Sequence, residues 1–466
     1  MSLFRRKAIE HHVEGHARLH RSLGWPHLIT LGIGAIVGTG IYTLIGVGAD
    51  RAGPAVTIAF LIAGIVCACA ALAYAELATM MPVAGAAYTY TYSTIGELPA
   101  WIVGWGLILE YSVVCAAVAV GWSGYASGFL ISAGIALPPE LIAGPDAGGI
   151  INLPAILIVA LVAGMLLLGT RESATVNAFL VAVKLIALAA FILLALPAFD
   201  IAHFSPFMPY GFAASEIGGE TKGVMAAAAI IFFAFYGFDA VSTAAEEAKN
   251  PARDLTIGII GSMVACTLIY VGVAAAAIGA MPFTSFATSA EPLAEVLRKL
   301  SHPHAAMLIG MAAIIALPTV ILAFLYGQTR IFFVMARDGL LPTSLGRLNK
   351  SGTPAFVTIV TSVLIALIAG FFPLAEIAEL ANAGTLLAFF SVGLCVLLLR
   401  RRRPDLKREF RTPLVWLVGP LAMAGCVYLF ASLPSGTQIR FLIWNIFGFA
   451  VYFAYSRKAS KLDKAA

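Results

Sequence analysis

The sequence predicts an all-α protein embedded in a bilayer, built from twelve transmembrane helices of which the first and sixth are broken. Three observations carry that expectation. The 466 residues are 61% hydrophobic and 11% charged, whereas soluble domains carry roughly 25% charged residues. Mean hydropathy is +0.94. Apolar runs of 18 or more residues, each long enough to be a membrane-helix candidate, recur from His27 to Tyr455. No stretch between them reaches the roughly 50 residues of a separate soluble domain, so composition excludes a water-soluble enzyme.

Sliding along the chain places the helices near 27–50, 54–81, 99–133, 152–169, 174–196, 223–247, 255–280, 304–337, 354–372, 375–400, 413–432 and 439–456. Residues 27–400 form a ten-helix core, 401–456 add two helices, and 1–26 and 457–466 are tails. An even number of spans puts both termini on one side. With that side cytoplasmic, inside segments hold 22 Lys and Arg and outside segments five, with Lys184 and Arg330 inside helices. This asymmetry sets the orientation of a multi-pass protein of the cytoplasmic membrane. The net charge of +5 is therefore a topology signal and implies no nucleic acid. Arg400 to Arg403, directly after helix 10, reads as a topology anchor or an anionic-lipid contact. The six Cys all fall in apolar runs and read as packing residues. The basic start MSLFRRKAIEHH lacks a following cleavage pattern, so helix 1 is expected to be retained.

Helix 1 contains GIGAIVGTG, with Gly32, Gly34, Gly38 and Gly40, and helix 6 contains FFAFYGFDA, with Gly237 followed by an acid. In hydrocarbon each unsatisfied backbone group costs several kcal/mol, so a broken helix survives only where protein encloses it or a polar cavity borders it. The breaks occupy corresponding positions of two five-helix halves, about 27–196 and 223–400. That spacing points to inverted repeats with a ligand site near the midplane.

Opening helix 1 at Gly38, Thr39 and Gly40 frees the Thr39 and Gly40 amides as a half-helix N-terminus, which favours a carboxylate. The Thr39 hydroxyl adds a donor. Across the gap, carbonyls near Ile36, Phe233, Ala234 and Tyr236 are suited to an ammonium. Such facing sites have the shape of an α-amino acid, and a ligand-free hinge is the alternative. Lys184 stands in the apolar helix VNAFLVAVKLIALAAFILLAL, too deep to snorkel easily. A Lys at a helix centre costs about 2.5–3.5 kcal/mol, and burial disfavours its charged form, so it reads as an amine that exchanges a proton. Glu110, in WIVGWGLILEYSVV, has three open roles: pairing with Lys184, attracting a cationic substrate, or hydrogen-bonding to backbone. Asp239 reads as a cap for the second half of helix 6. Glu246, Glu247, Lys249 and Arg253 read as a cytoplasmic loop or as gate partners of Arg18 and Arg21. His11, His12, His16 and His20 lack thiol or carboxylate company, so no metal is expected, and no catalytic motif occurs.

These residues resemble the amino acid–polyamine–organocation (APC) superfamily, and within it the cationic amino acid transporter (CAT) family in its twelve-helix bacterial form. The matching stretches are LGIGAIVGTGIYTLIG, YAELATMMPVAGAAYTY, GWGLILEY, VGWSGY, FFAFYGFDAVSTAAEEAKNPARDL and YGQTRIFFVMARDGLLP, between Leu31 and Pro342. The resemblance implies a LeuT-like fold, a 5+5 inverted repeat plus two helices, and alternating-access transport of amino acids. It implies that Thr39 and Gly40, beside Gly38, take the substrate carboxylate. The carbonyls of Ile36, Phe233, Ala234 and Tyr236, beside Gly237, take the amino group. It further implies that Lys184 stands in for a sodium ion between helices 1, 5 and 8, and that Glu110 is the family's buried helix 3 acid.

Tyr236 departs from the usual aliphatic residue, and Leu317 and Pro318 depart from the small or polar residues expected near the side-chain pocket. The expected substrate range is broad, with small neutral and cationic amino acids both open. The expectation is therefore a permease rather than an enzyme, coupled to protons by Lys184 and Glu110, with the proton as coupling ion and no other cofactor. A bundle of helices 1, 2, 6 and 7 would rock against helices 3, 4, 5 and 8. Exchange without net proton coupling and ligand sensing without transport are the rival expectations. A small single-span subunit and a homo-oligomer are both left open.

Overall fold

Backbone groups in hydrocarbon must be satisfied within their own segment, and the apolar chain accordingly resolves into helices. The computed structural model describes residues 4–7, 23–81, 85–135, 137–168, 174–243, 248–347 and 354–461. Predicted helix 1 is three pieces: α1 (Trp25–Ile36), α2 (Thr39–Tyr42) and α3 (Leu44–Ala52). Helix 2 is α4 (Val56–Met80), followed by a short α5 (Ala86–Thr94) absent from the sequence expectation. Helices 3, 4 and 5 are α6 (Glu97–Ser132), α7 (Leu153–Leu167) and α8 (Ala174–Ala195). Helix 6 divides into α9 (Val224–Ile231), a tighter turn over Phe232–Phe235, and α10 (Phe238–Thr243). Next come α11 (Pro251–Ala280), a short α12 (Pro292–Lys299) and α13 (Pro303–Arg337). Helices α14 (Ala355–Phe371), α15 (Leu374–Arg402), α16 (Val415–Ala431) and α17 (Ser435–Val451) follow, and α17 runs on through a wider turn into a last short piece, Arg457–Ala459.

Among the described residues, seven segments are long and apolar enough to cross a membrane, and five shorter apolar helices accompany them. Pro at the first turn starts α7, α11 and α13, where its missing N–H has no helical partner to lose. One departure from all-α is a small hairpin, Ser215–Ile217 paired antiparallel with Glu220–Lys222. Gly218 and Gly219 close it at φ +64° and +84°, the left-handed geometry of a two-residue hairpin turn.

Long α6 packs against α13 and α15, while α11 packs against α4 and α1. The last helices dock through tryptophans: Trp101 Nε1 donates to Gly448 O at 2.9 Å, and the Trp105 ring stacks on Trp444 at 4.7 Å. The outer surface is apolar. On α8, Ile186 and Leu193 are each 68% exposed while Lys184 is 1% exposed, so the helix turns its aliphatic side outward and its amine inward. Large exposed apolar side chains also line α7, α14 and α17, as lipid contact requires.

Of the basic run, Arg401, Arg402 and Arg403 are exposed, whereas Arg400 turns inward, as does Arg408 beyond it. Arg400 grips Glu76 of α4 with two bonds of 2.8 Å, and Arg408 Nε adds a third at 3.1 Å. The Thr412 amide donates a fourth at 2.8 Å. Glu76 is 1% exposed, so the carboxylate is fully desolvated yet fully bonded.

Glu76→Ala would remove the carboxylate partner of the buried Arg408 guanidinium and of the partly exposed Arg400. The expected destabilisation is about 3–5 kcal/mol, read as a lowered Tm of the detergent-solubilised protein, whereas Arg403→Ala, at the exposed Arg403–Asp405 pair, should change it little.

Candidate functional site

Two interrupted helices pass against each other at the centre of the fold. α1 ends at Ile36, Gly38 takes φ −152° and ψ −146°, and α2 begins at Thr39. In helix 6 the chain leaves the tight turn through Tyr236 in extended conformation and Gly237 at φ +106° before α10 begins. A Cβ on Gly40 would lie 2.2 Å from Ala234 Cα, and one on Gly237 would lie 2.7 Å from the Ala35 carbonyl carbon. Backbone therefore meets backbone, and only glycine allows it at either crossing.

The sequence expected this opening to free two amides, and α2 does start at Thr39, so Thr39 and Gly40 occupy its first turn, where backbone amides lack a partner within their own helix. The Thr39 hydroxyl is 1% exposed and has no hydrogen-bond partner among the described residues. A second interruption, unexpected from sequence, falls at Thr43 between α2 and α3. Its hydroxyl is likewise buried without a partner among the described residues. On the carbonyl side, Ile36 O accepts from Tyr270 Oη at 2.8 Å, leaving one lone pair, and Phe233 O accepts from the Tyr236 amide at 3.4 Å. The break in helix 1 faces an aliphatic wall, because a Cβ on Gly38 would meet Val320 at 3.5 Å and Leu317 at 3.9 Å.

Lys184 lies beside this crossing. Its Nζ donates to Gly34 O at 2.9 Å, two residues before the end of α1. Tyr42 Oη donates to Lys184 O at 3.3 Å, and Tyr125 Oη donates to Tyr42 O at 2.6 Å, bracing α8, α2 and α6 together. Glu110 is elsewhere: it is 4% exposed and packs on α15, where a Cβ on Gly384 would lie 3.1 Å from the Glu110 Cβ. No ion pair among the described residues joins Glu110 to Lys184, so the pairing left open by the sequence is not made. Asp239 lies within the first turn of α10 rather than at its cap, and accepts from Tyr111 Oη at 3.1 Å. Arg18, Arg21, Glu246, Glu247 and the histidine tail lie outside the described residues.

The side chain of Tyr236 reaches to α15. Its hydroxyl donates to Asn382 Oδ1 on α15, and Asn382 Nδ2 donates to Ala229 O at 2.6 Å and Ile230 O at 3.0 Å. Sequence reasoning passed over Asn382, although a lone Asn within the apolar run of helix 10 was a usable signal, since buried polar groups in membrane helices need partners.

Apolar helices around two enclosed helix breaks define a multi-pass membrane permease. The chain belongs to the amino acid permease family, whose model matches residues 23–454. It is 45% identical to a branched-chain amino acid permease of Bacillus subtilis (strain 168), covering 99% of both chains. It is 40% identical to a methylthioribose transporter of the same organism, over 99% of this chain and 100% of the relative. It is also 36% identical to the vacuolar cationic amino acid transporter 2 of Arabidopsis thaliana, over 87% of this chain and 64% of that protein. These relatives are named transporters and permeases, and the chain is not an enzyme.

Gly40→Ala and Gly237→Ala should each abolish ligand binding, because the added methyl collides with backbone that has nowhere to move. Calorimetric titration of purified protein against amino acids tests this, with Gly310→Ala as control, since a Cβ there meets nothing within 4 Å.

Proposed function

We propose that the chain imports α-amino acids with branched aliphatic side chains by proton symport. The crossing of the two broken helices carries this reading: Gly40 meets Ala234 backbone to backbone, and in this reading the half-helix amides at Thr39 and Gly40 face carbonyls of the turn that includes Phe233 and Ala234. Amides favour a carboxylate and carbonyls an ammonium. Leu317 and Val320 beside Gly38 favour an aliphatic side chain over a cationic one, and the relative named a branched-chain amino acid permease agrees with that choice. This reading is narrower than the broad range expected from sequence.

In this reading the fold is LeuT-like, with twelve spanning helices, inverted repeats over about 27–196 and 223–400, two further helices within 401–456, and cytoplasmic tails at 1–26 and 457–466. The protein sits in the cytoplasmic membrane. Lys184 carries the transported proton, its ammonium held by the carbonyl end of α1. Glu110 is a second proton-bearing group on the α15 side. Substrate and proton together bias helices 1, 2, 6 and 7 against helices 3, 4, 5 and 8.

Uptake of labelled L-leucine into proteoliposomes should rise several-fold when the outside is made acidic relative to the lumen. Lys184→Ala should lose that dependence while retaining leucine-for-leucine exchange. Native uptake that ignores the gradient would instead establish obligate exchange, and thermal stabilisation by leucine without accumulation would establish a sensor.

A competition screen of the twenty amino acids should find leucine, isoleucine and valine strongest. Valine should trail by about tenfold, the order expected for one missing methylene in an apolar pocket. Lysine or arginine as the strongest competitor would refute the aliphatic assignment.

A further inference from the structure

Asn382 is 0% exposed and lies on α15, a helix to which the site described above assigns no contact with substrate. Its amide has two donor hydrogens and an acceptor oxygen, and all three are used on helix 6. The donors bind Ala229 O at 2.6 Å and Ile230 O at 3.0 Å, near the end of α9, and the oxygen receives the Tyr236 hydroxyl. The attachment points bracket the tight turn Phe232–Phe235. One side chain thus fixes the chain on both sides of the segment that contains the Phe233 and Ala234 carbonyls.

The need for it is local. Carbonyls at the end of a half-helix lack intrahelical donors, and in a buried turn an unpaired carbonyl is costly. Without Asn382, Ala229 O and Ile230 O would each lose a side-chain donor, and Tyr236, in extended conformation beside Gly237, would lose a bond that helps to orient it. The amide holds the turn at one spacing before any ligand arrives.

We propose that Asn382 is the positioning residue for the substrate's amino group, acting through the helix 6 turn and without touching substrate. The proposal rests on the assignment of that turn to the ammonium. It separates Asn382 from residues that merely stabilise the fold, because its hydrogen bonds go to helix 6 and not to the helix 1 amides of the carboxylate half.

The test compares L-leucine with 4-methylpentanoate, which has the same carbon skeleton and carboxylate but no amino group. Dissociation constants for both come from competition against labelled leucine on purified native protein, Asn382→Ala and Tyr236→Phe. Native protein should prefer leucine strongly. In Asn382→Ala the preference should shrink about tenfold, the order of one misplaced hydrogen bond to a charged group, with 4-methylpentanoate affinity unchanged. Tyr236→Phe, which removes only the hydroxyl, should shrink it about threefold and remains decisive if the alanine variant does not fold. Equal weakening of both ligands, or an unaltered preference in Tyr236→Phe, overturns the proposal. Native protein that binds both ligands equally overturns the ammonium assignment itself, and the proposal with it.

Discussion

Everything in the site follows from two backbones that touch. Gly40 against Ala234 and Gly237 against Ala35 bring the interruptions of helices 1 and 6 to within van der Waals distance, and a side chain at either glycine would force them apart. Bringing two half-helices together in an apolar interior concentrates unpaired amides and carbonyls in one small volume, which a bilayer tolerates only inside protein. The surrounding helices respond with long polar side chains aimed inward. Tyr270 serves Ile36 O, Tyr125 serves Tyr42 O, and Asn382 serves the end of α9. The buried Thr39 hydroxyl is left without a partner among the described residues, and in the proposed reading a ligand's carboxylate completes it.

Helix α15 emerges as the brace of the molecule. Near its start Glu379 pairs with Arg51 at the end of helix 1 and accepts from Thr437 of α17 at 2.7 Å. Asn382 holds helix 6, and Arg400 at the far end grips Glu76 of helix 2. Residues 379 and 400 are separated by roughly 31 Å at 1.5 Å per residue, close to the hydrocarbon thickness of about 30 Å. The two ion pairs are thereby spaced to lie near opposite faces of a membrane, where charge is least costly, while the neutral amide lies between them. One helix therefore carries a tie to each of helices 1, 2 and 6, three of the four that the proposed cycle must move.

Much of this was legible in the sequence because the bilayer punishes exceptions. Glycine clusters at 32–40 and the glycine-acid pair at 237–239 stood out against uninterrupted apolar runs, and Lys184 stood out as a charge where none is cheap. What failed to show were properties of direction rather than identity. A run of four arginines looks the same whether it faces lipid headgroups or, like Arg400, turns back to a carboxylate more than 300 residues earlier. Lys184 and Glu110 invited pairing as two isolated buried charges, yet they sit on helices whose inward faces address α1 and α15 respectively. Tyr236 looked like a pocket residue because its backbone is at the break, but its side chain leaves for Asn382. Hydropathy reports which helices exist, and rotation about each helix axis is set only by packing.

The contact between Lys184 and Gly34 gives the proposed symport a physical basis. Gly34 lies in the last turn of α1, where the carbonyls carry the negative end of the helix dipole. An ammonium there gains a charge-assisted hydrogen bond and about 0.3–2 kcal/mol from the dipole, whereas a neutral amine gains little from either. Helix 5 supplies the amine and helix 1 the carbonyl, and in the proposed cycle only helix 1 moves. Any motion that withdraws α1 from α8 therefore penalises the protonated state more than the neutral one, and by reciprocity of linked equilibria a bound proton resists that motion. Because α1 ends at the same break that would receive the substrate, proton and substrate would act on one mobile segment from its two sides, and no longer-range relay is needed to couple them.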